Sequence, residues 1–206
     1  MFVSADVIFR IAFSILWLIF FAGAARARHL AGVSIGRRVG GTAGWSQIVA
    51  VALAVAYFAG ALLYATVPAV LAPLLIPLPG WFRLIMICVG AVGVSFAVWG
   101  LQVLGKNWAP SMTGLRNDTE LVTTGPYGIV RNPIYLGALL FLPSLALVAD
   151  NWLMFLPAIA LCIMLHTYVD QEEATLIAHF GDAYLDYMRR TPKLVPKLRR
   201  SKPNRN

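Results

Sequence analysis

The apolar residues of this chain fall into five long runs, with the polar residues gathered between them. The runs at about Val7–Ala24, Trp45–Val67, Trp81–Leu104, Ile134–Ala149 and Trp152–Val169 each predict a membrane span, since crossing the hydrocarbon core as a helix takes roughly 20 apolar residues. The last two are short, contain Pro143 and Pro157 and are separated by Asp150-Asn151. They predict a tight helical hairpin, kinked or set toward one face of the membrane. A further helix starts near Asp170 and runs to Pro192. Leu176, Ile177, Phe180, Tyr184, Tyr187 and Met188 recur along one side of it, and Gly181 is a candidate break.

The expected fold is an all-α, polytopic membrane bundle of about five transmembrane helices plus a cytoplasmic C-terminal helix. It is one structural domain, divided into a three-span region (1–104), a loop, hairpin and surface helix (105–196) and a basic tail (197–206). Ala52, Ala56 and Gly60 on the second span, and Gly90, Gly93, Ala97 and Gly100 on the third, form small-residue faces. Such faces let helices approach closely in lipid, so these two spans are expected to pack together. Between them VPAVLAPLLIPLPG carries four prolines and no charge, which predicts a broken or re-entrant segment at the outer interface.

Composition agrees with the pattern. Hydrophobic residues are 59% of the 206, charged residues 13%, and the mean hydropathy is +0.73, which excludes an ordinary soluble domain. Any site must be built from the spans and their flanks. The net charge of +8 does not point to nucleic acid, because eight of the 17 Lys and Arg lie between Arg189 and Arg205 and four between Arg26 and Arg38. That clustering predicts cytoplasmic loops, an N-terminus outside, and attraction to membrane lipid headgroups. AGAARA superficially resembles a signal-cleavage site, but Asp6 stands where a secretory segment is basic, so the first span is expected to be retained. Cys88 and Cys162 sit inside spans, as packing residues do.

Candidate chemistry gathers after residue 105. Pro133 forces Asn132 out of helical angles, so the fourth span starts with a fixed bend at Arg131. Arg131 and the first amides of that helix could hold a carboxylate, or the arginine could simply snorkel to phosphates. Glu172 and Glu173 are either a solvated acidic stretch or carboxylates facing a cavity. Tyr184, Tyr187 and Arg190 read as an interfacial belt, with Asp186–Arg190 as a surface pair. His166 is expected to line a cavity in the hairpin. His166, Asp170 and Glu173 share helical spacing, but with three histidines in the chain a metal set is hard to complete. Asn107-Trp108 reads equally as an interfacial end of the third span or as part of a site.

The ordered set GPY, R-N-P-x-Y, E-E and FG-x-x-Y-x-x-Y-x-x-R-x-P, from Gly125 to Pro192, resembles the isoprenylcysteine carboxyl methyltransferase family and the wider group of integral-membrane, S-adenosylmethionine-dependent methyltransferases. The resemblance covers the chain from about Leu104 onward. It implies a cofactor site at Asn107, Tyr127, Val130, Arg131, Asn132, Pro133, Tyr135, Leu136, His166, Glu172 and Glu173. It also implies an acceptor side at Tyr184, Tyr187 and Arg190, with Arg131, Glu173 and Arg190 as catalytic residues. Asn132 stands where the family commonly has histidine. The implied acceptor is a lipophilic molecule entering from the bilayer; carboxyl, phospholipid-amine and thiol acceptors are not distinguished, and no obligate protein partner is implied. The soluble methyltransferase fold is excluded, because no GxGxxG follows a strand. Two other classes stay open: an NADPH-dependent membrane reductase of related architecture, and a non-catalytic membrane module.

Overall fold

A computed structural model describes residues 5–32, 44–107 and 119–196. These form six α-helices: α1 (Ala5–Ala31), α2 (Trp45–Thr66), α3 (Gly80–Leu104), α4 (Pro133–Val148), α5 (Trp152–Phe180) and α6 (Asp182–Arg190). Short 3-10 turns lie at Pro68–Leu74, Gly105–Asn107 and Gly125–Gly128. The described residues are almost wholly helical, as the hydrophobic pattern predicts.

Four of the helices, α1, α2, α3 and α5, are long and apolar enough to cross a membrane, whereas α4 has 16 residues. At ~1.5 Å per residue α4 covers about 24 Å against a core of about 30 Å. The expected five spans are therefore four of full length and one short arm of a hairpin. The boundary expected near Asp170 is absent. DQEEATLIAHF contains no helix breaker, so α5 runs on unbroken from the apolar run into the polar one. It ends at Gly181, whose φ of 56° suits a residue without Cβ. Likewise α1 carries Arg26, Arg28 and His29, which the pattern reading places in a loop. From residue 33 on, that loop lies outside the described residues.

The small-residue faces do not pack on each other as expected. A Cβ on Gly93 of α3 would lie 2.8 Å from the Gly137 carbonyl oxygen, and one on Gly137 of α4 would lie 2.6 Å from the Ala97 nitrogen. Thus α3 packs backbone to backbone on α4, through a partner glycine that the sequence reading passed over. Gly60 of α2 instead faces Met154 and Leu153 of α5. Between these pairs an aromatic core of Phe13, Trp17, Tyr57 and Phe141 holds α1, α2 and α4 together.

The hairpin tip is pinned. Asn151, fully buried, accepts the Met154 N–H at 3.0 Å and so caps α5. The proline-rich segment, a 3-10 turn followed by extended chain, donates Ile76 N–H to the Asp150 carbonyl. Beside it Arg83, 5% exposed, bonds Asp6, Asp150, the Tyr64 hydroxyl and the Val148 carbonyl, and lies over the Phe9 ring. This hub joins α1, α2, α3 and the hairpin at one end of the bundle. The other end carries the polar motifs.

Candidate active site

The motifs of the second half meet where α4 begins. Pro133 occupies the first turn of α4, where a missing N–H costs nothing. Just before it, the main chain of Arg131 and Asn132 donates to Pro192 and Lys193 at 2.8 and 3.2 Å. The residues after α6 therefore cross the start of α4 as a strap.

Side chains reinforce that crossing. Arg131 meets Glu173 in a two-point pair, Nε to Oε1 at 3.0 Å and a terminal nitrogen to Oε2 at 3.1 Å, with both side chains 8% exposed. Its remaining terminal nitrogen donates to the Met188 and Thr191 carbonyls at 3.2 and 2.6 Å, which caps the open end of α6. Asn132 Nδ2 donates to Glu173 Oε1 at 2.8 Å and also reaches the Lys193 carbonyl. Burial alone lowers the Arg131 pKa, but the Glu173 carboxylate outweighs it and leaves the guanidinium above its ordinary value. The carboxylate held at the bend is thus the protein's own.

Around this framework lies a cavity of about 300 Å³. Of the residues singled out from sequence, Asn107, Tyr127, Arg131, Asn132, Pro133, Tyr135, Glu172, Tyr184 and Tyr187 border it. Tyr135 donates its hydroxyl to Glu172, and Tyr187 donates to the Tyr127 carbonyl at 2.6 Å. Burial pushes the phenols of Tyr127, Tyr184 and Tyr187 above their ordinary range. They are neutral donors near neutrality.

Five of the singled-out residues do not border the cavity. Glu173 is turned to Arg131, Val130 is fully buried, and Leu136 is half-buried. His166 is exposed, and Leu165 lines the cavity in its place. The helical period explains the correction: Leu165, Glu172, Leu176 and Phe180 share one face of α5, and His166 stands about 100° from it. Arg190 is exposed and bonds the Asp186 carbonyl of its own helix, while the Asp186 carboxylate pairs with Arg189 and not with Arg190. Trp108 lies outside the described residues. The reading missed Glu120, whose amide donates to Asn107 Oδ1, and the strap itself. Asp118-Thr119-Glu120 carried a polar signal, but the strap acts through carbonyls, which no side-chain pattern reveals.

On the α4–α6 wall most donors are spent inward, on Glu173, Glu172 and main-chain carbonyls. The lining also holds the carboxylates of Glu172 and Glu120 and a set of aromatic rings. Leu104, Ile134, Ala138 and Leu165 supply an apolar part of the lining. Such a hollow suits a ligand that carries positive charge and N–H donors.

The family model for phospholipid methyltransferases matches residues 81–183. The chain belongs to that family. The matched region runs from the start of α3 through the hairpin to the first residues of α6, so it contains the α3–α4 contact, Arg131–Glu173 and Glu172. The nickel-cobalt-cadmium resistance protein NccN of Alcaligenes xylosoxydans xylosoxydans is 31% identical over 119 residues, 57% of this chain and 53% of that protein. Methanethiol S-methyltransferase 2 of Bradyrhizobium diazoefficiens is 44% identical over 73 residues, 35% of this chain and 27% of that protein. The chain spans about half the length, or less, of the curated relatives it matches. In fold it is similar to the eukaryotic intramembrane Ras methyltransferase, an isoprenylcysteine carboxyl methyltransferase. The TM-score is 0.64 at 18% identity, over 95% of this chain and 69% of that one. The family assignment and the membrane methyltransferase fold agree with the resemblance read from the motifs.

Proposed function

We propose that this member of the phospholipid methyltransferase family is an integral-membrane enzyme that transfers a methyl group from S-adenosylmethionine to a lipophilic acceptor. The observation that carries the reading is the cavity itself, which brings the R-N-P-x-Y bend, Glu172 and the tyrosines of α6 around one hollow at the helix ends. When bound, the cofactor supplies an electrophilic methyl group on a positively charged sulfur.

The residues present fit that group. Glu172 and the rings of Tyr127, Tyr184 and Tyr187 favour a cation. Pro133, Ile134 and Tyr135, at the positive end of α4, border the same space and suit the cofactor's carboxylate. Arg131 and Glu173, assigned catalytic roles by the resemblance, are read here as the frame that keeps α4, α5 and α6 in register. Positioning is the main catalytic device, because displacement at a methyl group needs chiefly an in-line approach. The apolar lining borders the spans, so a lipophilic acceptor enters from the bilayer with Tyr184 and Tyr187 beside it. The distribution of Lys and Arg supports a cytoplasmic mouth and an N-terminus outside.

Calorimetric titration of the purified protein with S-adenosylhomocysteine tests the reading, followed by methyl transfer from labelled cofactor to a lipid extract. Binding is expected, and Glu172→Gln should weaken it about tenfold, or ~1.4 kcal/mol, while leaving the melting temperature in place. Stabilisation by NADPH instead would move the assignment to a reductase. Stabilisation by neither ligand would overturn the enzyme reading.

A further inference from the structure

Part of the cavity's apolar lining lies where α4 and α5 face each other. Ile134 and Ala138 stand one turn apart on α4, and Leu165 stands two turns before Glu172 on α5, all bordering the same hollow. At ~1.5 Å per residue Ala138 is about 7.5 Å beyond Pro133, and Leu165 about 10.5 Å from Glu172 toward the hairpin tip. This part of the hollow therefore leads from the helix ends toward the acyl chains. The two helices are not free to spread around it. On one side of the gap the Arg131–Glu173 pair joins them, and on the other the Asp150-Asn151 tip, where Asn151 caps α5. Nor can α4 retreat, because α3 is packed against its back. A Cβ on Gly137 would lie 2.6 Å from the Ala97 nitrogen, and one on Gly100 would lie 2.9 Å from Ile134 Cγ1. The bore of the gap is thus left to two side chains, the methyl group of Ala138 and the isobutyl group of Leu165.

We propose that Ala138 and Leu165 gauge the methyl acceptor, admitting a single unbranched hydrocarbon chain and refusing a branched or two-chain one. That the occupant is an acceptor rests on the methyltransferase reading above; the bore itself does not. Helices in contact run ~8–10 Å apart, so a methylene chain passes between them only where a facing residue is as small as alanine. The side chains of Ile134, Ala138 and Leu165 are hydrocarbon, and a phosphodiester drawn between them would lose its water without gaining a partner. The reacting atom of the acceptor accordingly sits on a plain alkyl chain and not on a diacyl phospholipid headgroup.

The probe is dodecyl methyl sulfide with a diazirine in the chain near the sulfur, photolysed with the full chain in phosphatidylcholine vesicles. Mass spectrometry is expected to place the label on Ala138 or Leu165. Excess unlabelled dodecyl methyl sulfide should remove that label, whereas its counterpart with methyl branches beside the sulfur, or phosphatidylethanolamine, should not. Ala138→Phe fills the gap and is expected to cut the labelling about tenfold. Leu165→Ala widens it and should let the branched compound compete, which keeps the test decisive if Ala138→Phe does not fold. Labelling that survives Ala138→Phe in a folded variant overturns the proposal. So does equal competition by the branched compound or by phosphatidylethanolamine against the parent, or label confined to Ile163, which is 66% exposed on the outer side of α5. If S-adenosylhomocysteine binds while the probe stays out of the gap, the gauge falls and the methyltransferase reading stands. If the probe enters and S-adenosylhomocysteine does not bind, the gap stands as a chain site and the enzyme reading falls.

Discussion

Two buried arginines sit at opposite ends of this bundle, and they are used differently. Arg83 gathers Asp6, Asp150, Tyr64 and the Val148 carbonyl, tying the start of α3 to the hairpin tip. Arg131 gathers Glu173 and the Met188 and Thr191 carbonyls, tying the start of α4 to α5 and α6. Both spend their donors on the protein. Arg131, however, borders a cavity with a second carboxylate, Glu172, beside it, whereas Arg83 is backed by Phe9 and core residues. A buried cation is therefore no mark of a site in this fold. The mark is a carboxylate that borders a cavity and, among the described residues, is held by a hydroxyl and not by a cation, as Glu172 is.

Removing one partner from each hub gives the sharpest test of that contrast. Glu173→Ala leaves Arg131 buried beside main-chain carbonyls with no counter-charge, a loss of about 3–5 kcal/mol, and should lower the melting temperature and release the strap together. Arg83→Ala should cost a similar amount at the other end. In the fraction that stays folded, however, its affinity for S-adenosylhomocysteine should match the parent in calorimetry. Should Arg83→Ala weaken that binding as much as Glu173→Ala does, the two ends are not independent.

A smaller effect is expected midway between the hubs. Gly137→Ala places a methyl group 2.6 Å from the Ala97 nitrogen, overpacking that should cost about 1–3 kcal/mol. The thermal loss should appear without change in the exposed Asp186–Arg189 pair. A melting temperature equal to the parent's would mean that α3 and α4 are less tightly apposed than the backbone contact implies. The smallest change is Tyr187→Phe. It removes one hydrogen bond to the Tyr127 carbonyl, about 1 kcal/mol, and should raise exchange at neighbouring α6 amides before it moves the melting temperature.

Much of this was legible in the sequence. The hairpin could be read because Asp150-Asn151 interrupts two apolar runs, and the start of α4 because proline constrains the residue before it. The cavity-bordering set from Tyr127 to Tyr187 follows from the motifs that carry the family resemblance. Other features depend on partners far along the chain. Gly137 acts only through the backbone of Gly93 and Ala97, and Arg83 was hidden inside an apolar run, its partners 19 to 77 positions away. The strap contributes carbonyl groups, which every residue possesses. His166 was misplaced by one position on the helix, enough to turn it from the cavity to the surface.

The shortness of α4 also bears on how a greasy molecule meets the site. Its far end is moored at the hairpin tip, so its near end, and the hollow beside Pro133, stops about 6 Å short of where a full-length span would emerge. With the tip at one edge of the hydrocarbon core, that level lies among the outer acyl carbons, just inside the glycerol. A molecule rooted in the bilayer by its tail could offer its head at this level without being lifted toward water.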